Sequence, residues 1–200
     1  MTSLLIAIKH RCPWIWRSVE WLNGRLFALR YPGLERTAAA VLAEVSEAEY
    51  AFAPVRTEDL AELSAFLERQ PAERRRYFDP HGFDRKTLEK LRKNRAFAMM
   101  KITETTHGRI VGYFFLRGFF VGRAFHGLIV DADHANRGLG TAMWATAMRI
   151  CDRMGLRMFA TIAEANTASL ISVRRATEVE VVEQLARSYL LIECKPKQSA

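Results

Sequence analysis

The segment running from Leu128 to Met143 (LIVDADHANRGLGTAM) holds the residue types and spacing closest to a chemistry. An apolar run ends at Val130, a short polar loop follows, and Gly138 and Gly140 open a helical pattern. Glycine lets backbone N–H groups approach a ligand with no Cβ in the way. A helix start adds unpaired N–H donors at the positive end of the dipole. Together they make a phosphate cradle, and Arg137 adds a formal charge beside it. Two well-known cradles are excluded: no lysine stands where GxxxxGK[ST] needs one, and Met143 occupies the third position of a GxGxxG or GxGxxA turn. A helix start that uses glycine for tight packing alone is the competing reading.

The elements that must hold this turn follow from periodicity and punctuation. Residues 50–55 read as a strand, and Thr57 caps a helix over 58–69 with Glu58 and Asp59 in its first turn. Residues 71–83, with two prolines and a glycine, read as loop. Asp84 caps a helix to about residue 94. Strands follow at 96–102, 110–116 and 124–130, then a helix over 138–154 closed by Gly155. A strand at 158–163, a short helix at 168–175 and a hairpin of 179–184 with 189–193 complete a mixed α/β plan.

The glycine turn resembles motif A of the GNAT acyltransferase superfamily, a strand followed by a (Q/R)xxGx(G/A) loop that opens a helix. Val130 matches the strand end, and Ala135-Asn136-Arg137-Gly138-Leu139-Gly140 matches the loop, with Ala135 where Gln or Arg is usual. The frame Arg137–Ala142 fits the same pattern. Residues 162–170, with Asn166 followed by Thr-Ala-Ser169, resemble motif B. The family's tyrosine on that helix is replaced by Val173, and its later Gly-Phe by Thr177-Glu178.

The resemblance implies the GNAT fold, an α/β (α+β) architecture in which helices flank a mixed central sheet with two splayed parallel strands. It covers a domain at 49–195, leaving residues 1–45 as an N-terminal helical extension. It implies acetyl-CoA as acyl donor and transfer of its acetyl group to a primary amine. Ile129, Val130, Ala135, Asn136, Arg137, Gly138, Leu139, Gly140, Thr141, Asn166 and Ser169 would hold the donor. Gly127 hints at a bulge or a close backbone approach in the oxyanion-forming strand. An ammonium must lose a proton before it attacks. His126, on the same face as Val130 in a regular strand, and Glu164, after the second splayed strand, are the two candidate bases. For each, an ordinary structural or surface role is the alternative. With Val173 in the tyrosine's place, a non-catalytic acyl-CoA-binding scaffold is the alternative function.

The charge is uneven. The net +8 includes nine Lys/Arg against four acids in residues 71–95, while 41–70 is acidic. This patchwork argues against nucleic acid and for anionic small molecules or a membrane surface. An acidic groove for basic peptides, as a peptide N-acetyltransferase would want, is not favoured. The arginine run Arg74-Arg75-Arg76 beside Tyr77 lies where the resemblance places the acceptor, and suits a phosphorylated amine such as a nucleotide-linked amino sugar. Pro13 starts a helix to about Arg30, with Ile15, Val19, Leu22, Leu26 and Leu29 on one face among three tryptophans. Packing on the domain or on a second copy in a homodimer, and peripheral membrane contact through residues 1–30, are its two readings. Three dispersed cysteines, Cys12, Cys151 and Cys194, suit a reducing cytoplasm rather than a disulfide or zinc framework.

Overall fold

The computed structural model describes the backbone of residues 13–197 and the side chains of 18–197; Cys12 lies outside them. The helices are α1 (Pro13–Arg30), α2 (Leu34–Val45), α3 (Leu60–Glu68), α4 (Ala72–Arg75), α5 (Arg85–Arg92), α6 (Leu139–Arg153) and α7 (Thr167–Ala176). The strands are β1 (Tyr50–Pro54), β2 (Phe97–Glu104), β3 (Ile110–Phe119), β4 (Arg123–Val130), β5 (Arg157–Ala163), β6 (Glu178–Leu185) and β7 (Tyr189–Lys195). They form one sheet in the order β1-β2-β3-β4-β5-β7-β6. Every pairing is antiparallel except β4 with β5.

The sheet is covered on both faces, so its inner strand β3 is buried along most of its length. Side chains alternate across a strand. Phe114 and Leu116 therefore enter the larger core with α2, α6 and Trp144. Tyr113 and Phe115 enter a second core with Leu63, Phe66 and Leu88 of α3 and α5. Asp84 caps α5 through the Thr87 N–H at 3.0 Å, as expected of an acid at that position.

α3 starts at Leu60 behind Asp59 rather than behind Thr57, and residues 72–75 of the expected loop form α4; two larger features also depart from the sequence expectations. The run from 34 to 45 forms α2, and its buried residues Leu34, Ala38, Val41 and Leu42 belong to the main core. Burying a side chain of the Leu or Val kind is worth roughly 1.5–3 kcal/mol, so α2 is part of the domain's core rather than of an appendage. Second, α1 packs through the face opposite its apolar stripe. Phe27 is fully buried over Gly118. Asn23 donates to the Gly118 carbonyl at 3.0 Å and accepts from the Phe120 N–H at 3.2 Å. Glu20 receives Arg117 at 2.7 Å. The end of β3 offers unpaired backbone groups, and a polar helix face satisfies them where an apolar one would not.

Candidate active site

The site begins where two strands part. β4 and β5 pair only over Arg123–Phe125 and Arg157–Phe159. Beyond Phe125, β4 keeps β3 on one side and has no strand on the other, while β5 runs on along β7 to Ala163. Residues 126–130 thus present one edge of backbone N–H and C=O groups to the gap, with no ladder to satisfy them. A cavity of about 720 Å³ opens at the far end of this gap, between residues 128–130 and residues 165–175.

Its floor at the end of β4 is held in place by Asp131. One carboxylate oxygen accepts from Arg69 at 2.9 Å and Gln70 at 3.3 Å, both from the end of α3; the other accepts from the Asp133 N–H at 3.1 Å. Burial alone would raise the Asp131 pKa. The Asp133 N–H and the Arg69 and Gln70 donors outweigh it and hold the carboxyl below its ordinary value. The loop then turns through left-handed backbone at Asn136 (φ 62) and Gly138 (φ 83) before α6 begins. A Cβ on Gly138 would meet no atom within 4 Å, and no side chain caps the helix. The first N–H groups of α6 therefore face the cavity without a protein partner, as binding of a pyrophosphate requires.

Of the residues expected to hold the donor, Ile129, Val130, Ala135, Asn136, Gly138, Leu139, Gly140, Thr141, Asn166 and Ser169 all line the cavity. The side chain of Asn166 caps α7 by accepting from the Ser169 N–H at 3.2 Å. Arg137 does not line the cavity. Its guanidinium donates to the Tyr50 hydroxyl at 3.2 Å and lies 3.6 Å from Glu49, which braces the loop from outside.

Neither expected base lines the cavity. His126 is buried with its ring 4.4 Å from that of Trp144 in the core. Its Nδ1–H donates to the Phe115 carbonyl at 3.0 Å, and Nε2 is buried without a partner. Desolvation lowers its pKa to about 4, so the imidazole is neutral at pH 7. Even-numbered β4 residues face α6, and at this level of the strand Trp144 fills the space. Glu164 is exposed after β5 and accepts from Gln184 at 3.0 Å. Nor is Gly127 a bulge, because the β3–β4 register runs through it without a shift. It makes room for Phe115, whose ring would lie 2.7 Å from a Cβ there. Val173 is fully buried.

The opposite wall of the cavity comes from the segment expected to be loop. There α4 and the turn after it bring Glu73, Arg74, Arg76, Tyr77 and Phe78 to the cavity, with Arg175 of α7 across from them. Arg74 donates to the Val130 carbonyl at 3.0 Å, which ties this wall to the end of β4. Arg76 donates to the Tyr77 hydroxyl at 2.6 Å and lies 4.4 Å over its ring. Glu73 is the one carboxylate among the described residues that line the cavity, and Tyr77 the one phenol. The arginine run pointed to this wall; nothing in the sequence marked Glu73. His134 also lines it, turned toward Glu104 at 3.4 Å.

A strand that leaves its parallel neighbour and a glycine turn that aims helix N–H groups into the resulting gap are the working parts of an acyl-CoA-dependent transferase. The model of the acetyltransferase (GNAT) family matches residues 58–171, and the chain belongs to that family. Acetyl-CoA is the family's acyl donor, and the open cradle at Gly138 fits its pyrophosphate. A comparison with curated proteins gave no match. Among solved structures, the GNAT domain of S. lividans PAT is 16% identical over 71% of this chain and 88% of its own, with a TM-score of 0.61. The putative acetyltransferase yncA from Salmonella typhimurium, solved with acetyl-CoA, is 16% identical over 76% and 97%, with a TM-score of 0.59. AAC(6')-Ib in complex with parmomycin and acetyl-CoA is 13% identical over 74% and 94%, with a TM-score of 0.55. At these identities the likeness is one of fold.

Proposed function

We propose that this chain is an N-acetyltransferase that moves the acetyl group of acetyl-CoA to the primary amine of a phosphorylated small molecule, such as an amino sugar or its nucleotide conjugate. The observation that carries the proposal is the wall facing the glycine cradle. It sets one carboxylate and one phenol beside Arg74 and Arg76, with Arg175 of α7 across from them, in the same cavity as the unpaired edge of β4. Bound acetyl-CoA supplies the thioester carbonyl that the amine attacks. The free N–H groups at the end of β4 hydrogen-bond the oxygen on which charge develops. Glu73 takes the proton of the incoming ammonium, directly or through water. Tyr77, whose oxygen already accepts from Arg76, keeps its own proton for the departing thiolate. Arg74, Arg76 and Arg175 hold the acceptor's phosphate, for which forked donors are suited. His126 and Glu164 do not line the cavity, so the proton route is assigned to Glu73. Direct transfer needs no covalent intermediate, and Cys151 is buried with its thiol pKa pushed up by desolvation. Among the described residues, Cys151 and Cys194 are buried free thiols, which suits a cytoplasmic setting.

The test is release of free thiol from acetyl-CoA in the presence of amino sugars, their phosphorylated and nucleotide-linked forms, and a peptide with a free N-terminus. Release should be fastest with a phosphorylated amine. CoA binding without thiol release on any amine would establish the scaffold alternative. Preference for the peptide would overturn the acceptor class.

A further inference from the structure

We propose that the outward face of α1, together with the β3–β4 turn, is a docking surface for an anionic lipid bilayer. α1 spends its polar face on the end of β3, and this leaves Val19, Leu22, Leu26 and Leu29 of its apolar stripe in water. Leu29 is 80% exposed, Trp21 62%, Val19 52% and Leu22 50%. Phe120 (44%) and Val121 (56%), in the turn after β3, extend the same surface. Between helix and turn lies a groove of about 260 Å³ with Val19, Leu22, Leu26 and Phe119 among its walls. Single exposed apolar residues are ordinary, but a continuous face on two adjoining elements marks an interaction site.

Charge decides what covers it. Arg25 stacks on Trp21 with its guanidinium carbon 4.9 Å from the ring, and exposed Arg30 donates to the Phe120 carbonyl at 3.2 Å. Asn94 lines the groove, and exposed Arg95 adjoins it in the chain. The acid of this helix, Glu20, is engaged by Arg117. A second copy on this face would bring two sets of these arginines into one interface, with Glu20, the acid of the helix, already engaged. An anionic headgroup layer instead meets them at the rim while Trp21, Leu22 and Leu29 enter the acyl boundary. Among the described residues no helix is long and apolar enough to cross a membrane, so the helix lies on the surface.

The test uses the full chain and sedimentation with vesicles of phosphatidylglycerol and phosphatidylcholine, beside vesicles of phosphatidylcholine alone, at low and high salt. The chain should sediment with the anionic vesicles and lose most of that binding at high salt. Trp21→Ser with Leu29→Ser should weaken binding by about tenfold or more, from the apolar surface removed, and Arg25→Glu with Arg30→Glu should do the same through charge. All four side chains are exposed, and an unchanged melting curve and CoA affinity confirm that each variant is folded. The proposal is overturned if the wild-type chain does not bind anionic vesicles at low salt, or if the Trp21 and Leu29 variant binds as well as the parent. It is equally overturned if light scattering shows a dimer that the Leu29 change breaks while vesicles are ignored, since a second copy then covers the face. None of these outcomes depends on the acetyl-transfer reading.

Discussion

Substituting Gly138 tests the cradle most directly. Its φ of 83° lies where a side chain is strained, and a Cβ there would touch nothing within 4 Å. The cost to the free protein is therefore conformational, about 1–2 kcal/mol. For a chain of this length that lowers Tm by roughly 2–4 °C per kcal/mol. The cost to binding is of another size in Gly138→Glu. A carboxylate about 5 Å from one phosphate charge, at an effective dielectric constant of about 20, opposes it by about 3 kcal/mol. That is about two decades in Kd before the second phosphate is counted. Gly108 provides the matched control: its φ is 68°, it too has nothing within 4 Å, and it sits in the β2–β3 turn. Gly108→Glu should show the same loss of Tm and leave CoA binding unchanged. Gly138→Asn, which tolerates the left-handed region, should melt close to wild type. Calorimetric titration with CoA, run beside thermal melts of all three variants, separates the two effects. If Gly138→Glu binds CoA within about twofold of wild type, the pyrophosphate does not lie at the start of α6 and the cradle assignment falls.

Four further outcomes follow from the geometry. Glu73→Gln should lower kcat by about 10²-fold or more near neutral pH with little change in CoA affinity, and an unaltered kcat–pH profile would remove Glu73 as base. Tyr77→Phe should lower kcat with less effect on the acceptor's KM, whereas Arg74→Ala should raise that KM and also loosen the end of β4; steady-state kinetics tell them apart. His126 carries a pH signature in stability: its folded pKa of about 4 lies below the ordinary 6.5, so its contribution is complete above about 6.5 and lost as pH falls toward 4. Denaturant unfolding of the wild type at pH 7 and pH 5 should therefore differ by about 2 kcal/mol from this group, and His126→Phe should remove that difference while costing stability at pH 7 through the lost Nδ1–H bond to the Phe115 carbonyl. Gly118→Ala places a methyl where Phe27 packs, and should undock α1, read as faster amide exchange over 18–30 with the rest of the sheet protected.

What the residues determined by themselves was local. A strand ending at Val130, a loop with glycine where φ must be positive and a helix start follow one another within fifteen positions, and short-range preference and periodicity are enough to define them. The cavity accordingly holds the expected Val130, Gly138, Gly140, Asn166 and Ser169. The hairpin of β6 and β7 and the capped start of α5 were legible for the same reason. Even α2 carried its signal, with Leu34, Ala38, Val41 and Leu42 at helical spacing, masked by alanines that blur the contrast between faces. Tertiary structure alone decided which way side chains near the motif turn. Arg137 stands inside the cradle's sequence yet points to Tyr50, because β1 lies behind the loop. His126 shares a strand face with Val130, yet ends against Trp144, because α6 closes over the base of that face while the tip opens into the gap. The stripe on α1 reads as a core face, but the partner that mattered was the unpaired end of β3, about ninety-five residues away, whose N–H and C=O groups called for Asn23 rather than for leucine. Glu73 became a site residue only because Arg74 bonds the Val130 carbonyl and draws α4 to the cavity. Period and turn chemistry are properties of neighbours in the chain. Which surface meets which is settled by polar groups and volumes that come together only when distant segments pack.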